Sequence, residues 1–159
     1  MLLRRPRLAD VPALFEFLGD PDAMRHTRVD ASLRECRRRI AAHEWRRRHD
    51  GYAPWTVVTR AEGRIIGWGG LCTDPFEPGW GVEVSYFFHP DAWGRGFATE
   101  LVSASLEVAD RVLKLPEVRA FARAQNIASR RVLEKAGFEV LRVVPELERI
   151  LYRRPRQAP

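Results

Sequence analysis

The sequence is poor in the residues that staple or metallate small domains. Only two of its 159 residues are cysteines, Cys36 and Cys72, and their separation matches no metal-ligand spacing. They read as reduced thiols, which fits a cytoplasmic protein. The four histidines share no metal spacing either, so no metal is expected. No apolar run approaches the roughly 18 residues that a membrane span requires, and none is expected to meet a bilayer. The opening Met-Leu-Leu-Arg-Arg-Pro lacks the apolar core of a signal peptide. Internal repeats and low-complexity segments are absent, which argues against a solenoid or a disordered chain. Hydrophobic residues at 45% supply a core, and the length suits one domain over residues 1–159. Lysine and arginine number 27 against 21 acidic residues, a formal charge of +6. That excess suits an anionic ligand, a nucleic acid or an acidic protein face, and does not choose among them.

What is present centres on one stretch, from Val82 to Leu101. Val82 to Phe88 is β-branched and aromatic and predicts a buried strand. His89-Pro90-Asp91 ends it, because proline gives a sheet no N–H. Trp93-Gly94-Arg95-Gly96-Phe97-Ala98-Thr99 follows, and a helical pattern opens there. A strand, a glycine turn and a helix N-terminus make a cradle of bare N–H groups carrying positive partial charge, which suits a phosphate. It lacks the Gly-Lys-Ser/Thr of a nucleotide-hydrolase loop. It also lacks the third glycine of a dinucleotide fingerprint, because Thr99 stands there.

The loop resembles instead the pyrophosphate loop of the GNAT superfamily of acetyl-CoA-dependent N-acetyltransferases, Gln/Arg-x-x-Gly-x-Gly/Ala after a strand. A second stretch, Asn126-Ile-Ala-Ser129 followed by Leu133-Glu-Lys-Ala-Gly137-Phe138, resembles the second signature of the branch that includes the ribosomal-protein N-terminal acetyltransferases. One departure stands out. The superfamily's leading Gln or Arg falls at Asp91, an acidic residue that puts one phosphate contact in doubt.

The rest of the chain fits an α/β fold. Leu2 to Leu8 predicts an edge strand. Asp10 caps a helix with Val11, Leu14, Phe15 and Leu18 at helical spacing, and Gly19-Asp20-Pro21 ends it. Ser32 to Glu35 is a capping box for a second helix to about Arg48. Its arginines, Arg37, Arg38, Arg39, Arg46, Arg47 and Arg48, read either as a docking face for RNA or the ribosome or as a solvated helix face. Trp55–Arg60 and Arg64–Cys72 predict a hairpin, with Gly67, Gly69 and Gly70 marking a bulge or a close approach. A helix from about Gly94 to Val112 follows the fourth strand, with Leu101, Leu106, Val108, Ala109 and Val112 inward. Val118–Ala124 is the fifth strand, Ile127–Ala136 a helix, and two strands, Phe138–Val144 and Arg149–Arg153, close the chain. The order is βααβββαβαββ, a mixed sheet with helices on both faces. The resemblance implies that strands four and five are parallel and splayed.

It also implies the chemistry. The pantetheine arm of acetyl-CoA would lie in the splay against the backbone of Tyr86, Phe87 and Phe88. The diphosphate would rest on the N–H groups of Gly94, Arg95, Gly96, Phe97, Ala98 and Thr99, beside Trp93, with the Arg95 side chain adding charge. Asn126 would hold the arm from the other side, and Arg130 or Arg131 would meet the phosphates or the adenosine. Glu83 is the candidate base that frees the amine's lone pair. A backbone N–H near Phe88 would face the developing oxyanion. Ser129 is the candidate acid for the leaving thiolate, in place of the tyrosine that other members carry on this helix. Met24, His26, Thr27 and Arg28 lie where the family lines its acceptor site, or in a plain solvated loop. The acceptor implied first is a protein or peptide α-amine, and second a small amine, amino acid or aminoglycoside. A CoA-binding module without turnover remains the rival of another class. A homodimer is open, since family members often dimerise.

Overall fold

The computed structural model describes residues 1–157. Seven strands and four helices follow the expected order: β1 (Leu2–Arg4), α1 (Val11–Leu18), α2 (Leu33–Asp50), β2 (Trp55–Val58), β3 (Ile65–Cys72), β4 (Glu83–Phe88), α3 (Phe97–Glu107), β5 (Glu117–Ala122), α4 (Ile127–Lys135), β6 (Glu139–Val144) and β7 (Arg149–Pro155). They form one mixed sheet in the order β1-β2-β3-β4-β5-β7-β6. All neighbours are antiparallel except β4 and β5.

The period-2 alternation of β4 assigns its two faces. Val84 and Tyr86 pack with Val102 and Leu106 of α3 and Leu133 of α4. Phe87 packs on the other face with Trp68, Leu14 and Phe17 of α1 and Ile40 of α2. Helices therefore cover both faces. The glycines of β3 allow close approach, as expected: a Cβ on Gly69 would sit 2.4 Å from the Ser85 carbonyl oxygen.

Three details depart from the sequence reading. Asp10 does not cap α1 with its side chain. It is buried and accepts two bonds from Arg4 at 2.7 and 2.8 Å and one from the Arg7 N–H at 2.8 Å. The third helix starts only at Phe97, because Gly94 and Gly96 hold φ of +69° and +82°. Its far end widens into a π-turn over Val108–Val112. That extra residue breaks the 3.6 period, so Val112, expected inward, is 70% exposed. Arg154 of β7 grips Asp110 in this turn at 3.1 and 2.9 Å.

The arginines of α2 are largely engaged within the fold. Arg47 donates to the Ala53 and Pro54 carbonyls. Arg46 pairs with Asp50 at 3.0 Å. Arg39 lies 5.0 Å over both the Trp68 and Phe87 rings, and Arg38 covers Phe76. This favours the reading of arginine stems as packing material over that of a free docking face. Among the described residues no helix is long and apolar enough to cross a membrane.

Candidate active site

The parallel ladder between β4 and β5 holds at one residue pair, Glu83 with Arg119, where the Arg119 N–H donates to the Val82 carbonyl at 2.8 Å. Beyond it the strands part. The backbone groups of Tyr86 and Phe88 alternate toward the gap, away from β3, whose Ile66 carbonyl accepts from the His89 N–H. The Phe88 carbonyl takes the Trp93 indole N–H at 3.0 Å. Unpaired strand edges of this kind invite an extended amide-bearing ligand.

A cavity of about 850 Å³ runs through the gap. On one side of the sheet it is walled by the turn before α3 and by α4, and on the other by the loop Ala23–Arg28, by α2 and by the connection from Thr73 to Trp80, with the Arg25 guanidinium 5.7 Å over the Trp93 ring where the two meet. Every residue expected at the donor or the base lines it except Arg130 and Arg95; the Arg95 guanidinium lies over the Phe97 ring at 5.2 Å. Gly96 occupies the N-cap of α3 with no side-chain cap bond, so the first N–H groups of the helix stay bare. A Cβ at Gly94 or Gly96 would touch nothing within 4 Å. The cradle is thus open on the side from which an anion would come, and it fits a diphosphate. The departure at Asp91 is compensated, because Arg64, just before β3, binds its carboxylate at 2.9 Å.

On α4, Asn126 accepts the Ser129 N–H at 3.1 Å. Its side-chain oxygen is therefore spent on the cap, and its amide nitrogen remains for the cavity. The Ser129 hydroxyl lies 2.8 Å from the Tyr86 phenol oxygen, and the phenol also reaches the Ser129 carbonyl at 3.2 Å. Sequence reasoning gave Tyr86 a backbone part only. Burial pushes its phenol up to about 12. Arg131 stands exposed at the cavity rim, while Arg130 turns to Tyr152 and the Ala124 carbonyl.

Glu83 opens β4 in the cavity wall, near Asp74 and Glu77 of the β3–β4 connection. Burial raises its carboxyl to about 7, Asp74 and Glu77 add to the rise, and Arg149 and Arg119 oppose it. Of the loop residues expected near an acceptor, His26, Thr27 and Arg28 line the cavity, and Met24 reaches it from the core. Residues that no motif marked stand beside them. They include Asp74, whose carboxylate holds the Phe76 and Glu77 N–H groups at 2.7 and 3.0 Å, and Arg123 and Arg149. His43 is buried against Trp68, and burial brings its imidazole down to about 4. No group of three or more His, Cys, Asp or Glu among the described residues is arranged to hold a metal.

A splayed parallel pair beside a glycine cradle defines an acyl-CoA transferase architecture, and comparison with known proteins makes this specific. Residues 1–139 match the acetyltransferase (GNAT) domain. The chain belongs to the GNAT acetyltransferase family and is an acyltransferase. An uncharacterized protein of Bacillus subtilis, YkkB, is 27% identical over 139 residues, 85% of this chain and 79% of that one. Among solved structures, the ribosomal L7/L12 alpha-N-protein acetyltransferase RimL in complex with coenzyme A superposes with a TM-score of 0.77 at 19% identity, over 97% of this chain and 93% of that one. The aminoglycoside acetyltransferase AAC(6')-Ib, in complex with coenzyme A and kanamycin, gives 0.75 at 18% identity, over 97% and 94%. At such identities these two show the shared fold.

Proposed function

We propose that this protein is a cytoplasmic, single-domain N-acetyltransferase that moves acetyl from acetyl-CoA directly to a primary amine. The observation that carries the reading is the sheet opening beyond the single Glu83–Arg119 pair, with the bare amides of Gly94–Thr99 at its mouth. The donor supplies a thioester carbonyl open to attack by a neutral amine. The edge of β4 at Tyr86 and Phe88 and the Asn126 amide hold its arm, and the cradle holds its diphosphate. Arg131 at the rim serves the phosphates or adenosine.

Glu83 receives the ammonium proton, directly or through water. A carboxyl near 7 is matched to that work at neutral pH. An N–H of the free β4 edge, near Phe88, faces the charge that develops on the carbonyl oxygen. The Tyr86 phenol, 2.8 Å from the Ser129 oxygen, can serve as the donor of that bond, which leaves the Ser129 O–H to donate to the departing sulfur.

The test is a thiol-release assay over a panel of amines, paired with calorimetry of CoA binding. Release with at least one amine is expected. Ser129→Ala is expected to lower kcat about tenfold, the scale of one hydrogen bond to a charged group, with CoA affinity unchanged. Saturable CoA binding without thiol release for any amine would convert the enzyme into a binding module. Full turnover in Ser129→Ala would remove Ser129 from the chemistry.

A further inference from the structure

The acceptor end of the cavity carries charges of both signs that are not joined to each other. Asp74 and Glu83 stand on the side of the β3–β4 connection and the start of β4. Arg123 and Arg149 stand across from them, where β5 ends and β7 begins. Arg149 is half-buried. Among the described residues its guanidinium makes no hydrogen bond and no ion pair, and burial together with the neighbouring Arg123 pulls its pKa down. The Arg123 Nε is buried without a partner. The outer nitrogen of Arg123 reaches only Glu148, at 3.6 Å, whose side chain is 77% exposed. Two adjacent guanidiniums partly withdrawn from water, with one exposed carboxylate between them, repel each other at a cost to the fold. That cost is offset when a ligand brings the missing anion. The thioester donor does not bring it here, because its diphosphate belongs at Gly94–Thr99, while Arg123 alternates to the sheet face opposite the one that α3 and α4 cover.

Resting on the reading of this cavity as the transfer site, we propose that the acceptor is a free amino acid, its amine placed at Glu83 and its carboxylate gripped by Arg149 and Arg123. The guanidinium fork matches a carboxylate bidentately. The separated charges complement a zwitterion and answer the other acceptor classes badly. A peptide N-terminus presents a neutral amide next to its amine and leaves both arginines unanswered. A polyamine or aminoglycoside presents a second cation to them and is repelled. The inference therefore sets aside the peptide α-amine that the resemblance alone put first.

The experiment compares matched substrates on the purified full chain with acetyl-CoA. The panel holds the standard free amino acids, their α-amides, the corresponding decarboxylated amines and C-terminally amidated peptides. Turnover is expected for one or more free amino acids. Their amides and decarboxylated forms should lose about tenfold or more in kcat/KM, chiefly through KM, as expected when charged hydrogen bonds to a substrate are removed. Arg149→Gln should raise the amino-acid KM by about the same factor while the KM for acetyl-CoA holds. Arg149→Lys, which keeps the charge and loses the fork, should fall between, and it covers the case in which the glutamine variant fails to fold. Amides or peptides used as well as the free acids, or an amino-acid KM untouched in both variants, would overturn the inference and leave acetyl transfer standing. CoA binding without release of thiol for any amine would overturn both.

Discussion

Replacing Glu83 with glutamine separates what this residue does for the reaction from what it costs the fold. Burial raises the Glu83 carboxyl to about 7 from its ordinary 4.5. Each unit between the two values is worth about 1.4 kcal/mol, so the ionised form burdens the native state by on the order of 3–4 kcal/mol. The sign follows from which state binds the proton more tightly. Below about 4.5 the carboxyl is protonated in both folded and unfolded chains, and the burden is absent. As pH rises toward 7 the unfolded chain has already lost the proton while the folded one keeps it, and the burden grows. Above about 7 it is fully present. Glutamine has the shape of the protonated acid and never ionises. Glu83→Gln should therefore match the wild type in thermal stability at pH 4.5 and exceed it at pH 8, by about 7–14 °C in Tm for a chain of this size. The same variant should lose most of its kcat, and the acid limb of its kcat/KM profile, which in the wild type falls as pH drops through about 7, should vanish. Equal Tm shifts at both pH values would refute the argument that burial sets this pKa. An acid limb unchanged in the variant would refute Glu83 as the base.

Two further outcomes follow from the same geometry. Gly96 holds φ of +82° at the N-cap of α3, a conformation that costs a β-branched residue about 1–2 kcal/mol. Gly96→Val should weaken CoA binding about tenfold in calorimetry, whereas Gly79→Ala, with open space around it and no positive φ, should leave binding unchanged. Asp10→Asn should cost about 3–5 kcal/mol in urea unfolding, because it leaves Arg4 partly buried without its charge. Burial raises the Asp10 carboxyl, but Arg4 and the Arg7 N–H outweigh it and hold it below its ordinary 3.8. Its stabilisation is complete above 3.8 and fades as pH falls through the lower native value, so the gap between wild type and variant should close in acid.

The donor half of the site was legible in the sequence because its parts are contiguous. The cradle is one run, Trp93 to Thr99, and its function depends on backbone groups that glycines expose, so a linear pattern carries the geometry. Asn126 and Ser129 sit three apart at a helix start, where the cap bond at 3.1 Å fixes their spacing. The acceptor half was not legible for the opposite reason. Asp74, Arg123 and Arg149 come from three connections far apart in the chain, and each alone is an ordinary charged loop residue. Only the sheet order β4-β5-β7 brings them to one cavity. The Tyr86–Ser129 pair was half visible. Both residues were marked, but the phenol was given no part, because the contact joins positions 43 apart.

The failures of local pattern in the fold have a common physical source. Asp10 stands where a helix cap belongs and satisfies that signal by sequence. Tertiary structure offered its carboxylate a stronger partner in Arg4, two bonds to a guanidinium against a single bond to a backbone N–H. Val112 fits the helical period, yet the π-turn pinned by Arg154 and Asp110 shifts its phase by a residue and turns it to solvent. In both places an arginine on a strand outbid the local rule, from six residues away at Asp10 and from 44 at Asp110. The chain carries a formal charge of +6, and where its guanidiniums find carboxylates the fold is fastened. In the cavity, by contrast, Arg149 stands within the influence of Glu83, Glu77 and Asp74 without closing an ion pair on any of them.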